Sequence, residues 1–140
     1  MKSMAESRKR GSDALQRERE RRKADLCSRS ANGNIGISMC LSSELKTTEA
    51  NYLAYVRSIG ALLRLVPPDE ARAANGTEPV ARLPFDEAES AWQSYREKAC
   101  VGMGVQWQGA QSDMAEKTCR LDLTWNHMDE LANLYNDLWH

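Results

Sequence analysis

Four cysteines, Cys27, Cys40, Cys100 and Cys119, are the residues whose type and spacing most restrict the chemistry of this 140-residue chain. They fall into two spaced pairs, and the run AWQSYREKAC leads through Trp92, Tyr95 and Arg96 into Cys100. An even count in a short chain, with no C-x-x-C and only two histidines, points to disulfides rather than to metal. Zinc ligands would come in close pairs, and His127 and His140 have no partners at helical spacing, so neither a metal nor another cofactor is implied. Free cysteines would instead be small buried hydrophobes. Disulfides place the folded protein outside the reducing cytosol.

The elements that must position these cysteines read as helices. Phe85, Ala88, Trp92, Tyr95 and Ala99 recur at helical steps, with Pro84 suited to a first turn and Gly102 and Gly104 ending the segment. Leu121, Trp125, Met128, Leu131, Tyr135 and Leu138 form a second face, and Leu41, Leu45, Tyr52, Val56, Ile59 and Leu63 a third, stopped by Pro67 and Pro68. No useful β-alternation is present. The expectation is an all-α fold: an antiparallel bundle of three core helices, plus a charged N-terminal helix or arm, stapled by two disulfides. Between Pro67 and Pro84 lies a Pro- and Ala-rich linker with one short helical turn at DEARAA; its Asn75-Gly76-Thr77 matches a glycosylation pattern but reads more simply as a turn.

Charge divides the chain into residues 1–26, a basic arm or helix, and residues 27–140, the four-cysteine helical domain. The arm carries nine Lys/Arg against five Asp/Glu, and the rest ten against fifteen. The alternating signs of RERERRKAD make a solvated helix or frayed tail the simpler reading of the arm, with a helix from about Ser12; nucleic-acid binding would require a less acidic body. No apolar run is long enough to span a membrane. No apolar leader follows Met1, and MKSM reads as a start joined to a mature segment.

Antiparallel packing brings the cysteines to one pole. The sequential pairing, Cys27 with Cys40 and Cys100 with Cys119, closes two short loops; the crossed pairing stays open, because Cys119 sits a couple of turns into its helix. Two glycine-rich loops, Ser28 to Met39 and Val101 to Ala110, then share that pole and make the expected partner-binding surface. Trp107 is its candidate anchor beside Met103, unless it folds back onto the open end of the bundle; Arg29, Asn32, Asn34, Gln106 and Gln108 supply donors. Trp92, Tyr95 and Trp125 are expected in the core, and the carboxylates on solvated faces. No nucleophile motif or phosphate loop frames the Ser, His and Asp residues, so an enzyme is not expected.

With these residues in view, the chain resembles the LprI-type lysozyme inhibitors, small secreted bacterial proteins with four cysteines. The likeness runs from Cys27 to Leu131. It rests on Ala91, Trp92, Tyr95, Arg96 and Cys100, on Cys119, Leu123, Thr124 and Leu131 in CRLDLTWNHMDEL, and on the Cys27-to-Cys40 spacing. The family usually carries an arginine where His127 stands, its turn is shorter than the Pro67–Pro84 stretch, and residues 1–26 have no counterpart. The resemblance implies a periplasmic or secreted protein that inhibits a lysozyme or other peptidoglycan-degrading enzyme by occluding its active site, with Arg96 clamping loop carbonyls. Competing readings are an immunity protein against a periplasmic cell-wall toxin, and a structural helical protein that dimerises through its N-terminal helix.

Overall fold

The computed structural model describes residues 4–29, 33–65 and 82–139. The described residues form four helices, α1 (Met4–Ala24), α2 (Gly33–Arg64), α3 (Arg82–Gly104) and α4 (Ala110–Leu134); a 3₁₀ turn at Leu26–Arg29 lies between α1 and α2, and a second, Asn136–Trp139, follows α4. The fold is all-α and bundled, with no strand among the described residues. Most of the Pro-rich linker, with its DEARAA and Asn75-Gly76-Thr77, lies outside them. Its end belongs to α3, where Pro84 falls in the first turn and removes no helical hydrogen bond.

Cross-helix contacts give the topology. Glu18 of α1 bonds Thr48 and Asn51 of α2, while Gly11 lies against Ser58, so α1 and α2 are antiparallel. Ser38 meets Asp113, and further along Tyr52 faces His127, so α2 and α4 run parallel. Arg120 bonds Glu97 while Tyr135 meets Phe85 edge-on, which sets α3 antiparallel to α4.

The main core gathers Tyr52, Tyr55, Ile59, Phe85, Met128 and Leu131 from three helices. Each such side chain is worth roughly 1.5–3 kcal/mol on burial, whereas α1 adds only the small Ala14 as a buried member, with Leu15 partly buried against the cluster. The first helix is therefore held in another way. Its buried stripe is Ser7, Gly11, Ala14 and Glu18, small or polar residues that let two backbones approach closely. The expected solvated arm is thus corrected: α1 begins at Met4, not near Ser12, and one of its faces is packed.

A second correction concerns α3. Its buried positions are Phe85, Glu89, Arg96 and Cys100 with Trp92 partly covered, whereas Ala88 and Tyr95 are exposed. Tyr95 is 59% exposed rather than in the core. The face is rotated by one residue because Glu89 and Arg96 find partners inside the bundle, which an apolar pattern cannot register. On α2 the buried set likewise includes Thr48, Asn51 and Tyr55 beside the expected Tyr52 and Ile59.

Candidate functional site

Disulfides close the pole as the sequential pairing requires. Cys27 bridges Cys40 across 13 residues and Cys100 bridges Cys119 across 19. Cys27, Leu41 and Leu121 form a separate buried cluster with Cys40 and Met114 packed against it. Lys117, two residues before Cys119, bonds the Ser42 hydroxyl and the Asp113 carboxylate and lies 3.5 Å from the Ser38 carbonyl. Its ammonium, then the Ser38 hydroxyl, hold the Asp113 carboxyl below the usual carboxylate range. Both bridges therefore lie where the first turns of α2 meet those of α4.

The two expected loops are mostly helix. Gly33 to Met39 forms the first turns of α2, and Val101 to Gly104 extends α3 by one turn beyond Cys100. The true connection between α3 and α4 is residues 105–109, closed by Val105 N–H to Val101 O and Trp107 N–H to Gly104 O bonds. Ser112 Oγ donates to Gly104 O at 2.8 Å and ties the two helix ends together. Gly109, at φ 59, adopts the left-handed conformation that a side chain would strain.

Trp107 does not fold back into the core: it is 50% exposed, as are Gln106 and Gln108 to a comparable class. With Met103, also exposed, it borders an open groove of about 590 Å³ continued by Met114, Ala115, Thr118 and Leu123 of α4. Cys119 sits in the wall of this groove. Asn34 stands exposed on the first turn of α2, a different element. Arg29 ends a 3₁₀ turn, its side chain outside the description, as is Asn32 altogether. The α4 residues of the groove were absent from the sequence-derived site. Met114, Ala115, Thr118 and Asp122 recur at helical steps and could have been read as a second face of that helix.

Behind the pole, polar side chains buried in the bundle fix the helices. Arg96 is 6% exposed and its guanidinium binds Glu49 of α2, Thr124 Oγ1 of α4 at 2.9 Å and Glu97 at 2.8 Å. It clamps side chains of two other helices, not loop carbonyls, because Glu49 and Thr124 project into the bundle at its level. Trp92 packs beneath it, 5.2 Å from ring centroid to guanidinium. Desolvation raises the Glu97 carboxyl, but hydrogen bonds from Arg120 and Arg96 outweigh it and leave a lowered pKa.

Glu89 and His127 form a second polar node. The His127 Nε2 lies 2.8 and 3.0 Å from the two Glu89 oxygens, and Tyr52 donates to the same carboxylate at 2.8 Å. Burial, then the bond to Glu89, push the Tyr52 phenol well above its ordinary value, so it remains a donor. With Glu89 4% and His127 8% exposed, the pair joins helices and does not face the groove. Glu18 repeats the device, accepting from Thr48, Asn51 and the Trp125 indole at 2.6 to 2.8 Å. The carboxylates are thus not all solvated, because Glu18 and Glu89 each satisfy several internal donors. Among the described residues no group of three or more His, Cys, Asp or Glu could hold a metal, and no helix is long and apolar enough to cross a membrane.

Fold and site together define a disulfide-stapled helical bundle that presents a preformed surface groove. A family model described as Lysozyme inhibitor LprI matches residues 27–131, and the chain belongs to that family. The match begins at Cys27 and ends at Leu131, so it includes both bridges, Arg96, Glu89 and the groove. Neither a curated protein nor a solved structure matches the chain.

Proposed function

We propose that this protein acts in the periplasm or outside the cell, binding a lysozyme or another peptidoglycan-cleaving enzyme and occluding its active site through the disulfide pole. The observation that carries the reading is Trp107. It stands half exposed on a five-residue connection whose two flanking helices are joined by the Cys100–Cys119 bridge and by the Ser112 to Gly104 bond. An aromatic anchor on a rigid support loses little entropy on binding. Family membership supplies the class of target, and the disulfides fit an oxidising compartment. Lysozymes are commonly cationic, and an excess of five acidic residues over residues 27–140 would speed the encounter. Lysozyme clefts carry a protonated and an ionised carboxyl group, which donors such as Gln106 and Gln108 could meet.

The test is a cell-wall lysis assay with c-type, g-type and i-type lysozymes titrated against the protein. Saturable inhibition of at least one is expected. Trp107→Ala should weaken the complex more than tenfold, on the order of 2 kcal/mol for a hot-spot residue. An absence of both retention and inhibition across the three classes would refute the reading.

A further inference from the structure

The groove beside Trp107 has a chemistry more specific than a general contact surface. Its walls are Met103, Trp107, Met114, Ala115, Thr118 and Leu123. Asp122 is the single ionisable side chain lining it among the described residues, and it is exposed. The cations nearby are bound to other groups: Lys117 to Asp113, Arg120 to Glu97 and Glu116, and Arg22 to Asp129 and Asn126. Asp122 appears in none of these ion pairs, and Arg22 acts on it only at longer range.

We propose that this groove seats an apolar side chain that a cationic protein partner carries beside a lysine or arginine, with Asp122 receiving the cation. Two features support this occupant. A volume of about 590 Å³ suits one large side chain and its neighbours, within the ordinary range for preformed sites. Among the described residues lining the groove the formal charge is negative, and residues 27–140 carry ten basic against fifteen acidic residues, so an anionic occupant would meet repulsion. The Cys100–Cys119 bridge keeps Met103 and Trp107 in place against α4 before the partner arrives. This assignment rests on the inhibitory reading for its partner class, but its chemistry can be tested apart from inhibition.

The probe is a short peptide alternating arginine with leucine and tryptophan, set against the same peptide with glutamate in place of arginine. Titration is followed by NMR on the full chain. The arginine peptide should move the Trp107 indole and the Ala115 and Leu123 amide resonances saturably, and the glutamate peptide should bind roughly tenfold more weakly. Thr118→Lys places a cation in the groove at an exposed position where lysine favours helix, so the fold should persist and peptide binding should fall about tenfold or more. Asp122→Asn should reduce the preference for arginine over glutamate. Equal binding of both peptides, shifts outside the groove, or a Thr118→Lys protein that binds like the parent would each overturn the proposal. So would concentration-dependent shifts without peptide, which would make a second copy the occupant. If lysozyme is inhibited equally by the Thr118→Lys protein, the groove assignment falls while inhibition stands; if the peptide docks but no lysozyme is inhibited, the reverse holds.

Discussion

His127 lies flat on Trp92, with ring centroids 4.0 Å apart and planes inclined by 11°, inside the interface between α3 and α4. The stack holds the imidazole edge towards Glu89, whose two oxygens it meets at 2.8 and 3.0 Å. The same Trp92 ring supports the Arg96 guanidinium, which stands one turn further along α3 and 5.2 Å from the ring centroid.

Removing the shared acceptor should be costly. Glu89→Ala leaves the Tyr52 hydroxyl and His127 Nε2 buried without this partner, and unsatisfied buried donors cost about 1–3 kcal/mol each. A loss of about 2–5 kcal/mol in urea unfolding is expected, with Glu89→Gln milder because it still accepts one bond. An unchanged midpoint for Glu89→Ala would show that the node is not structural.

Gly11 permits α1 to dock. A Cβ at this position would stand 2.9 Å from Ser58 Cβ and closer still to the Trp139 ring. Alanine is the better helix former by about 1 kcal/mol, so a free helix would gain from Gly11→Ala. In the folded protein the overlap should reverse that sign, with a net loss of about 1–3 kcal/mol from overpacking. Thermal unfolding decides between the two; a stabilised Gly11→Ala protein would mean that α1 does not hold this contact.

Loss of the second bridge should weaken the bundle and loosen the groove together. Closing 19 residues corresponds to about 3 kcal/mol in the chain-entropy account. Cys100→Ala with Cys119→Ala should lower stability by about that amount, and hydrogen exchange should rise most in residues 101–112. Protection there that equals the parent's would contradict the stapling role.

Acid should reduce stability through Asp113. Its carboxyl is held below the ordinary value by Lys117 and then Ser38, so the unfolded chain takes up the proton first as pH falls. The stabilisation is complete above the unfolded carboxylate range near pH 4 and is lost as pH falls through the lower folded value. Asp113→Asn should flatten the unfolding midpoint below about pH 4 relative to the parent. An identical acid profile in the two proteins would argue against this linkage.

Much of the architecture is readable along the chain, because burial of apolar residues repeats with the helical period. Leu121, Met128 and Leu131 follow that period, and the two short cysteine separations favour sequential bridges. Glycines mislead at the pole: Gly33, Gly36, Gly102 and Gly104 read as loop, yet tertiary contacts and the bridges carry helix through them. The inward face of α3 also escapes the pattern, since Glu89 and Arg96 are charged. A charged residue enters a core only where another helix supplies its hydrogen bonds, and those donors and acceptors are 28 to 47 residues away.

Sequence by itself thus determined an all-α, disulfide-bonded chain and its family, since periodicity, cysteine spacing and motif residues are local properties. Only the tertiary structure decided which charges are internal, that α1 packs through Gly11, and that Met103 and Trp107 share a groove with α4. Those facts depend on distances between helices, and no interval along the chain encodes them.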